Sequence, residues 1–283
     1  MINSDIIEKP IKNHKDFEVK PVRGTAKKIK IIWDDLFPGY KSLRFFLVGK
    51  TLAGKSTIIY NLLKHIVSNL THLIVISESV STDDVTIKLI ERFNKILPKV
   101  TVYDKLDINT INKAVHEMTE VVKMYKNQDD DDTPNQNTPH SIFDRFNKIL
   151  KPVAKTKKKK RVDDDIIFPY NICYIDDVAQ RQLRQEYMYS YIKKSRHMGS
   201  LLICSQFFND LNNSSRNQMS HFILMKGITD VKLKQIYEEL AGNMSFKEFM
   251  ELYLYCTSDP YSFMMISNRG EVRKNLNVIV HTK

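Results

Sequence analysis

Leu47-Val48-Gly49-Lys50-Thr51-Leu52-Ala53-Gly54-Lys55-Ser56-Thr57 is the stretch that decides the fold of this chain. It matches the pattern G-x-x-x-x-G-K-[ST] of a phosphate-binding loop, or P-loop. The apolar run Phe45–Val48 precedes the loop, and Thr57–Leu63 continues it with the residue types of a helix. A strand before the loop and a helix after it are the context that the motif requires, so we predict a nucleotide site here.

The residue types of the loop explain its chemistry. Gly49 and Gly54 allow a tight turn and a close approach of backbone N–H groups to phosphate. The helix that begins near Lys55 directs the positive end of its dipole at the same place. Lys55 is predicted to reach the β- and γ-phosphates, and Ser56 to bind Mg²⁺. The predicted phosphate-binding residues are Gly49, Lys50, Thr51, Leu52, Ala53, Gly54, Lys55, Ser56 and Thr57.

Composition sets the limits of the interpretation. The chain has 283 residues, 42% hydrophobic and 27% charged, which suits one large α/β domain. Its formal charge of +11 indicates an anionic partner such as nucleic acid, or a lysine-rich solvated surface. Three cysteines lie in apolar runs without metal-ligand spacing, which favours reduced, buried thiols. No apolar run approaches 18 residues, so we expect no membrane span.

Strand and helix patterns alternate along the first half of the chain. Strands are predicted at 43–48, 72–77 and 100–103, and helices at 55–69, 85–97 and 107–127. This alternation predicts a mostly parallel sheet that is covered by helices. Further along, Tyr261–Ser267 and Leu276–Val280 are expected to form an antiparallel hairpin at the sheet edge.

The domain organisation follows from shifts in composition. Residues 1–40 are predicted to be an N-terminal arm, and 41–283 one P-loop domain. A low-complexity insertion interrupts that domain at about 128–165, with acidic residues at 129–132 and a basic run at 155–161. The basic run is interpreted as a solvated linker, a DNA contact or a nuclear localisation signal.

A second motif lies in the second half of the chain. Asn171–Asp177 is an apolar strand that ends in two acids. Asp176 is predicted to hold the Mg²⁺ shell, and Asp177 to orient or deprotonate the attacking water. The alternative is a strand that ends in a solvent-facing acid pair.

The next predicted strand, Ser200–Gln206, is expected to lie between the P-loop strand and the acid-tipped strand. Gln206 would then point at the γ-phosphate or the attacking water. Arg196 comes just before this strand and is a candidate arginine finger for a neighbouring subunit, or a local ion-pair partner.

Together these segments resemble the FtsK–HerA superfamily of P-loop ATPases. More narrowly, they resemble the genome-packaging ATPases of poxviruses, other large eukaryotic DNA viruses and virophages. The similarity covers about 43–127 and 166–280. It is carried by Phe45–Thr57, Ile172–Asp177, Ser195–His197, Leu201–Gln206, Arg216–Asn217, His221–Lys226, Pro260–Phe263 and Arg273–Asn275.

The resemblance implies an additional-strand P-loop fold and an enzyme that hydrolyses ATP, with Mg²⁺, to package viral double-stranded DNA into capsids. It also implies a homo-oligomeric ring, a capsid or vertex protein as partner, and a location in the host-cell cytoplasm or virion, with the nucleus open because of residues 155–161. Lys55, Asp177, Gln206 and Arg196 would be catalytic, with Arg216 as the other candidate finger. The alternatives are a cellular or plasmid DNA-pumping helicase, a small-molecule kinase, and a non-catalytic nucleotide-gated DNA-binding protein.

Overall fold

Ten strands of one mixed sheet and eight α-helices are seen in the residues that a computed structural model describes: 6–10, 36–37, 40, 42–67, 71–128, 171–242, 244–276 and 278–282. The strands are β1 (Ile6–Pro10), β2 (Arg44–Val48), β3 (His72–Ser77), β4 (Lys99–Tyr103), β5 (Asn171–Asp176), β6 (Ser200–Ser205), β7 (His221–Met225), β8 (Phe263–Ser267), β9 (Val272–Lys274) and β10 (Val278–Thr282). The helices are α1 (Lys55–Ile66), α2 (Asp84–Asn94), α3 (Ile108–Gln128), α4 (Gln180–Leu183), α5 (Glu186–Ser195), α6 (Asn213–Arg216), α7 (Asp230–Leu240) and α8 (Phe246–Cys256).

The order of strands across the sheet is β1-β10-β9-β8-β7-β2-β6-β5-β3-β4. Neighbouring strands from β7 to β4 are parallel. Strand β6 lies between the P-loop strand β2 and the acid-tipped strand β5, with Leu47 opposite Cys204 and Ile175 opposite Ile203. This arrangement confirms the predicted α/β class and the additional-strand P-loop fold.

The other end of the sheet is antiparallel, and its strand pairing differs from the prediction. The predicted hairpin is confirmed, but β8 pairs with Val272–Lys274 and not with Leu276–Val280. After the turn, the N–H of Ser267 already bonds to the carbonyl of Glu271, so the residues just beyond Glu271 take the place beside β8. Strand β10 then pairs with the far side of β9, and Ile6–Pro10 of the predicted arm pairs with β10 as the edge strand.

The parallel strands are covered on both faces, as their apolar sequences predict. Alternate residues of β2 enter different cores: Phe45 and Leu47 pack with α1 and α2, whereas Phe46 and Val48 pack with α3, α5, α7 and α8. Every residue of β3, β5 and β6 is buried. Because the strands themselves are buried, the polar side chains that follow them lie at the strand ends, outside the two cores.

Two helices begin at residues that cap them. The carboxylate of Asp83 accepts a hydrogen bond from the backbone N–H of Thr86 at 3.0 Å, which caps α2. Ser245 and Glu248 form a reciprocal capping box at the start of α8. Some elements are shorter than predicted; for example, α1 ends at Ile66 and α2 at Asn94.

Some predictions concern residues outside the described part of the chain. The basic run 155–161, most of the insertion at about 128–165 and most of the arm 1–40 fall there. Among the helices that are described, none has the length and apolar character needed to cross a bilayer.

Candidate nucleotide site

The carboxyl ends of β2, β5 and β6 meet beside a cavity of about 1010 Å³. Parallel strands place their carboxyl ends at one edge of a sheet, which is where ligands bind in open α/β folds. Side chains of the P-loop, Asp176, Asp177 and Gln206 all line this cavity. Segments that are far apart in sequence are thereby brought together, as the two motifs predict.

The P-loop has the backbone shape that phosphate binding requires. Gly54 is the N-cap of α1 and adopts φ 92° and ψ 21°, a left-handed conformation that favours glycine. The ammonium group of Lys55 donates to the carbonyl oxygens of Gly49 at 3.0 Å and Lys50 at 3.1 Å. Lys55 is thus held over the loop, where phosphate oxygens would compete with these carbonyls for its protons.

Ser56 and Asp176 form the part of the site that fits Mg²⁺. The Ser56 hydroxyl donates to Oδ2 of Asp176 across 3.4 Å. Adjacent ligands of an octahedral Mg²⁺ ion, each at about 2.1 Å, stand about 3 Å apart, so the two oxygens are spaced as such a pair. Mg²⁺ needs few protein ligands because it keeps waters and binds phosphate oxygens. The described residues accordingly hold no cluster of three metal-binding side chains.

Asp176 is held rigidly in a buried position. Its side chain is 6% exposed. It accepts hydrogen bonds from the hydroxyl of Tyr174 and, at 2.9 Å, from the backbone N–H of Asp177. Burial raises the pKa of Asp176, and the Tyr174 hydrogen bond and the charge of Lys55 oppose that rise. A bound cation would favour the ionised form for the same electrostatic reason as Lys55.

Asp177 occupies a different environment from its neighbour. Its backbone adopts φ 49°, a left-handed conformation that aspartate tolerates better than most residues. Asp177 is exposed and lines the cavity, whereas Asp176 is buried. Two consecutive carboxylates are therefore separated into one that is buried and one that is open to water.

Gln206 follows β6 directly and is exposed in the same cavity. A residue that the motifs did not indicate, Asp210, holds the chain around it. One carboxylate oxygen of Asp210 accepts hydrogen bonds from the Ser205 hydroxyl and, at 3.0 Å, from the backbone N–H of Phe207. These two residues flank Gln206, so Asp210 fixes the backbone from which the amide projects. The sequence signal that could have identified Asp210 is an acidic residue in the turn just after a core strand.

The other oxygen of Asp210 is buried without a hydrogen-bond partner among the described residues. Asp210 is 4% exposed and lines the cavity. Burying an unpaired carboxylate oxygen is unfavourable, which marks Asp210 as part of the site and not only of the fold.

The two candidate arginine fingers differ in position and in pairing. Arg196 is exposed at the C-terminal end of α5, just before β6 begins, and donates to the ring of His197 at 2.9 Å. It lies at the amino edge of the sheet, about 20 Å from the cavity by the length of β6. It therefore cannot reach the nucleotide site of its own chain.

Arg216 is buried and paired within its own chain. Its side chain is 7% exposed and donates to both carboxylate oxygens of Glu239 at 2.7 Å. Its guanidinium also lies 4.5 Å from the ring centroid of Phe208. This buried pairing within the chain leaves Arg216 poorly placed to enter the site of another subunit.

Comparisons with known proteins complete the description. No protein-family profile matches the chain, and neither does any curated protein. The genome-packaging NTPase B204 from Sulfolobus turreted icosahedral virus 2, in complex with AMP, is similar at 15% identity and a TM-score of 0.49, over 86% of this chain and 98% of that one.

Two further solved structures are similar. The pCW3 conjugation coupling protein TcpA, in its monomer form with ATPγS, is 15% identical over 80% of this chain and 57% of that one, with a TM-score of 0.45. EccC (ATPases 2 and 3) of Thermomonospora curvata, in complex with a signal sequence peptide, is 13% identical over 85% of this chain and 36% of that one, with a TM-score of 0.38.

Proposed function

We propose that this chain is an ATPase that hydrolyses ATP to move double-stranded DNA, and that it packages a viral genome into capsids. One observation carries the ATPase assignment: Lys55 and Ser56 of the P-loop face Asp176, Asp177 and Gln206 across one cavity. The sequence resemblance to viral packaging ATPases supports the step from hydrolysis to DNA movement.

Each residue of the site has its own role in phosphoryl transfer. Lys55 stabilises negative charge on the β- and γ-phosphates. Mg²⁺, held by Ser56 and Asp176, supplies further charge neutralisation when it is bound. Asp177 accepts a proton from the attacking water or orients it, because its carboxylate is exposed to the cavity. Gln206 positions the same water from the neighbouring strand.

The acid pair Asp176–Asp177 together with Gln206 suits an attacking water better than an acceptor hydroxyl, so hydrolysis is favoured over a kinase reaction. A kinase would transfer phosphate only when its acceptor is present. The non-catalytic alternative would bind ATP tightly without turnover. A cellular or plasmid DNA pump shares the chemistry and differs only in the DNA that it moves.

The position of Arg196 supports a homo-oligomer. Since this exposed side chain lies at the edge of the sheet opposite the cavity, an arginine finger at this position would serve the site of another subunit. A homo-oligomeric ring, docked on a capsid or vertex protein, would bring such a neighbour into place. The charge of +11 supports contact with DNA, and the packaging role places the protein in the host-cell cytoplasm or the virion.

The test is ATP turnover by the purified chain with and without double-stranded DNA, with the oligomer size measured in the same buffer. We expect DNA-stimulated phosphate release without any added acceptor. Lys55→Ala and Asp177→Asn should each lower turnover by roughly 100-fold or more. Asp104→Asn, the same change at an exposed acid after β4, is the matched control and should retain activity. Normal DNA-stimulated turnover in the first two variants would refute the proposal.

A further inference from the structure

Tyr261 is an exposed aromatic residue that lies directly on the P-loop. A Cβ atom added at Gly54 would come within 2.8 Å of Cδ1 of Tyr261, so the ring covers the backbone where α1 begins. Tyr261 is 48% exposed, in contrast to the fully buried Phe263 two residues later. It lines both the large cavity and an adjoining pocket of about 500 Å³.

The backbone holds this ring in place at a conformational cost. Tyr261 adopts φ 62°, an unfavourable conformation for a bulky aromatic residue. The turn around it is closed by hydrogen bonds from the N–H of Asp259 to Oγ of Ser262 at 3.1 Å and from that Oγ to the carbonyl of Asp259 at 2.8 Å. An ion pair of 2.7 Å between Asp259 and Lys274 anchors the turn to β9. Strain that is retained in this way is typical of functional sites.

The strand order determines which end of a nucleotide would meet Tyr261. Asp177 and Gln206 lie on one side of β2, after β5 and β6, and the γ-phosphate must face them. The nucleoside end must then leave the P-loop on the other side, toward β7 and β8. The adjoining pocket lies there, between the loop residues Lys50–Ala53 and the segment Ser258–Ser262.

We propose that the ring of Tyr261 is the stacking platform for the nucleobase of the bound nucleoside triphosphate. This inference rests on the proposed ATPase function and adds the base subsite to it. The exposed π-face can stack on a base, and such stacking depends on the face of the base and not on its hydrogen-bonding edge. Because stacking uses the face of the ring, the proposal requires no contribution from the Tyr261 hydroxyl.

The test compares the affinity of ATP with that of inorganic tripolyphosphate, which fills the phosphate site but has no base. Tyr261→Phe should bind both as the wild type does. Tyr261→Ala should bind ATP roughly 5- to 150-fold more weakly and tripolyphosphate within about twofold of the wild type. Tyr261→Gly adopts the positive φ without strain, and it should show the same selective loss if the ring is responsible.

Two results would overturn the inference. One is an unchanged ATP affinity in both Tyr261→Ala and Tyr261→Gly. The other is an equal loss of ATP and tripolyphosphate, which would mean that Tyr261 only shapes the P-loop. In either case a wild-type protein that still hydrolyses ATP would leave the proposed function standing. Wild-type protein that binds and hydrolyses no ATP would overturn both proposals.

Discussion

The hydroxyl of Ser56 and the carboxylate of Asp176 lie 3.4 Å apart although 120 residues separate them in sequence. The first residue belongs to the P-loop helix and the second ends the acid-tipped strand. Their spacing matches that of two neighbouring Mg²⁺ ligands, and Asp176 is fixed by two further hydrogen bonds. The described fold thus places two oxygens where the proposed Mg²⁺ ligands would stand, with little rearrangement needed.

Asp176→Asn should lower ATP hydrolysis on the order of 100-fold and raise the Mg²⁺ concentration needed for half-maximal activity. The neutral amide keeps the size of the side chain but removes the charge that attracts the ion. Steady-state turnover across a Mg²⁺ titration measures both effects. Asp104→Asn serves again as the control, because Asp104 also follows a parallel strand but does not line the cavity. An unaltered Mg²⁺ dependence in Asp176→Asn would contradict the metal assignment.

Asp210→Ala should lower kcat by about tenfold while leaving KM for ATP nearly unchanged. The reason is that Asp210 acts through Gln206, whose flanking residues it holds, and not through nucleotide binding. A double-mutant cycle with Gln206→Ala tests this route. In the Gln206→Ala background the second substitution should cost little further activity. Additive losses would show that Asp210 acts independently of Gln206.

Arg196→Ala should abolish activity in a way that a second subunit can repair. The variant keeps an intact nucleotide site but lacks the side chain that completes its neighbour's site. Lys55→Ala has the opposite defect, so a mixture of the two inactive proteins should recover measurable ATP turnover. A mixture no more active than its components would remove Arg196 from the trans role.

Arg196 and Arg216 should also differ in how much each contributes to the free energy of unfolding. Arg216→Ala leaves the carboxylate of Glu239 without its bidentate partner, and we expect a loss of about 3 kcal/mol in the free energy of unfolding. Arg196→Ala changes an exposed residue and should alter that free energy by less than about 0.5 kcal/mol. Urea unfolding of both variants measures the difference.

Because two histidines are buried, we predict that the free energy of unfolding falls in mild acid. Burial, with smaller contributions from nearby Lys99 and from Arg273 respectively, lowers the pKa of His72 to about 4 and that of His221 to about 3. In the unfolded chain each pKa is about 6.5, so below that pH the unfolded state binds protons that the native state does not. The free energy of unfolding should therefore fall as the pH decreases from about 6.5 toward 4.

Each histidine contributes at most about 1.4 kcal/mol per pH unit to this fall. Urea denaturation at several pH values measures the slope. His72→Gln should flatten the curve, whereas His116→Gln, a change at an exposed histidine, should leave it as in the wild type. A wild-type curve that is flat between pH 7 and 5 would contradict the prediction.

Pattern alone identified several parts of the site. Asp176 and Gln206 stand at the end of apolar, strand-like runs, and Lys55 follows such a run at the spacing of the P-loop motif; parallel strands bring these positions to one edge. Periodicity also located helices such as the one that Asp83 caps. These are local signals, since a few neighbouring residues are enough to specify them.

Other features depend on contacts between distant segments. Nothing near Val272–Lys274 showed that these residues, and not Leu276–Val280, would pair with β8. Only the fold showed that the carboxylate of Asp210 accepts hydrogen bonds from Ser205 and Phe207, and that the ring of Tyr261 lies against Gly54. Sequence similarity placed two arginines among the candidates for one finger, and burial distinguished them.

By itself, therefore, the sequence determined that this is an α/β protein with a P-loop motif at 49–57, an acid pair at 176–177 and a glutamine at 206 after a core strand. Its strand periods and motif spacings are short-range properties that the local backbone must obey. Only the tertiary structure decided that Arg216 is buried against Glu239, that Arg196 faces outward, and that Tyr261 covers the P-loop. Those outcomes depend on burial and on contacts across the sheet, which exist only after the chain has folded.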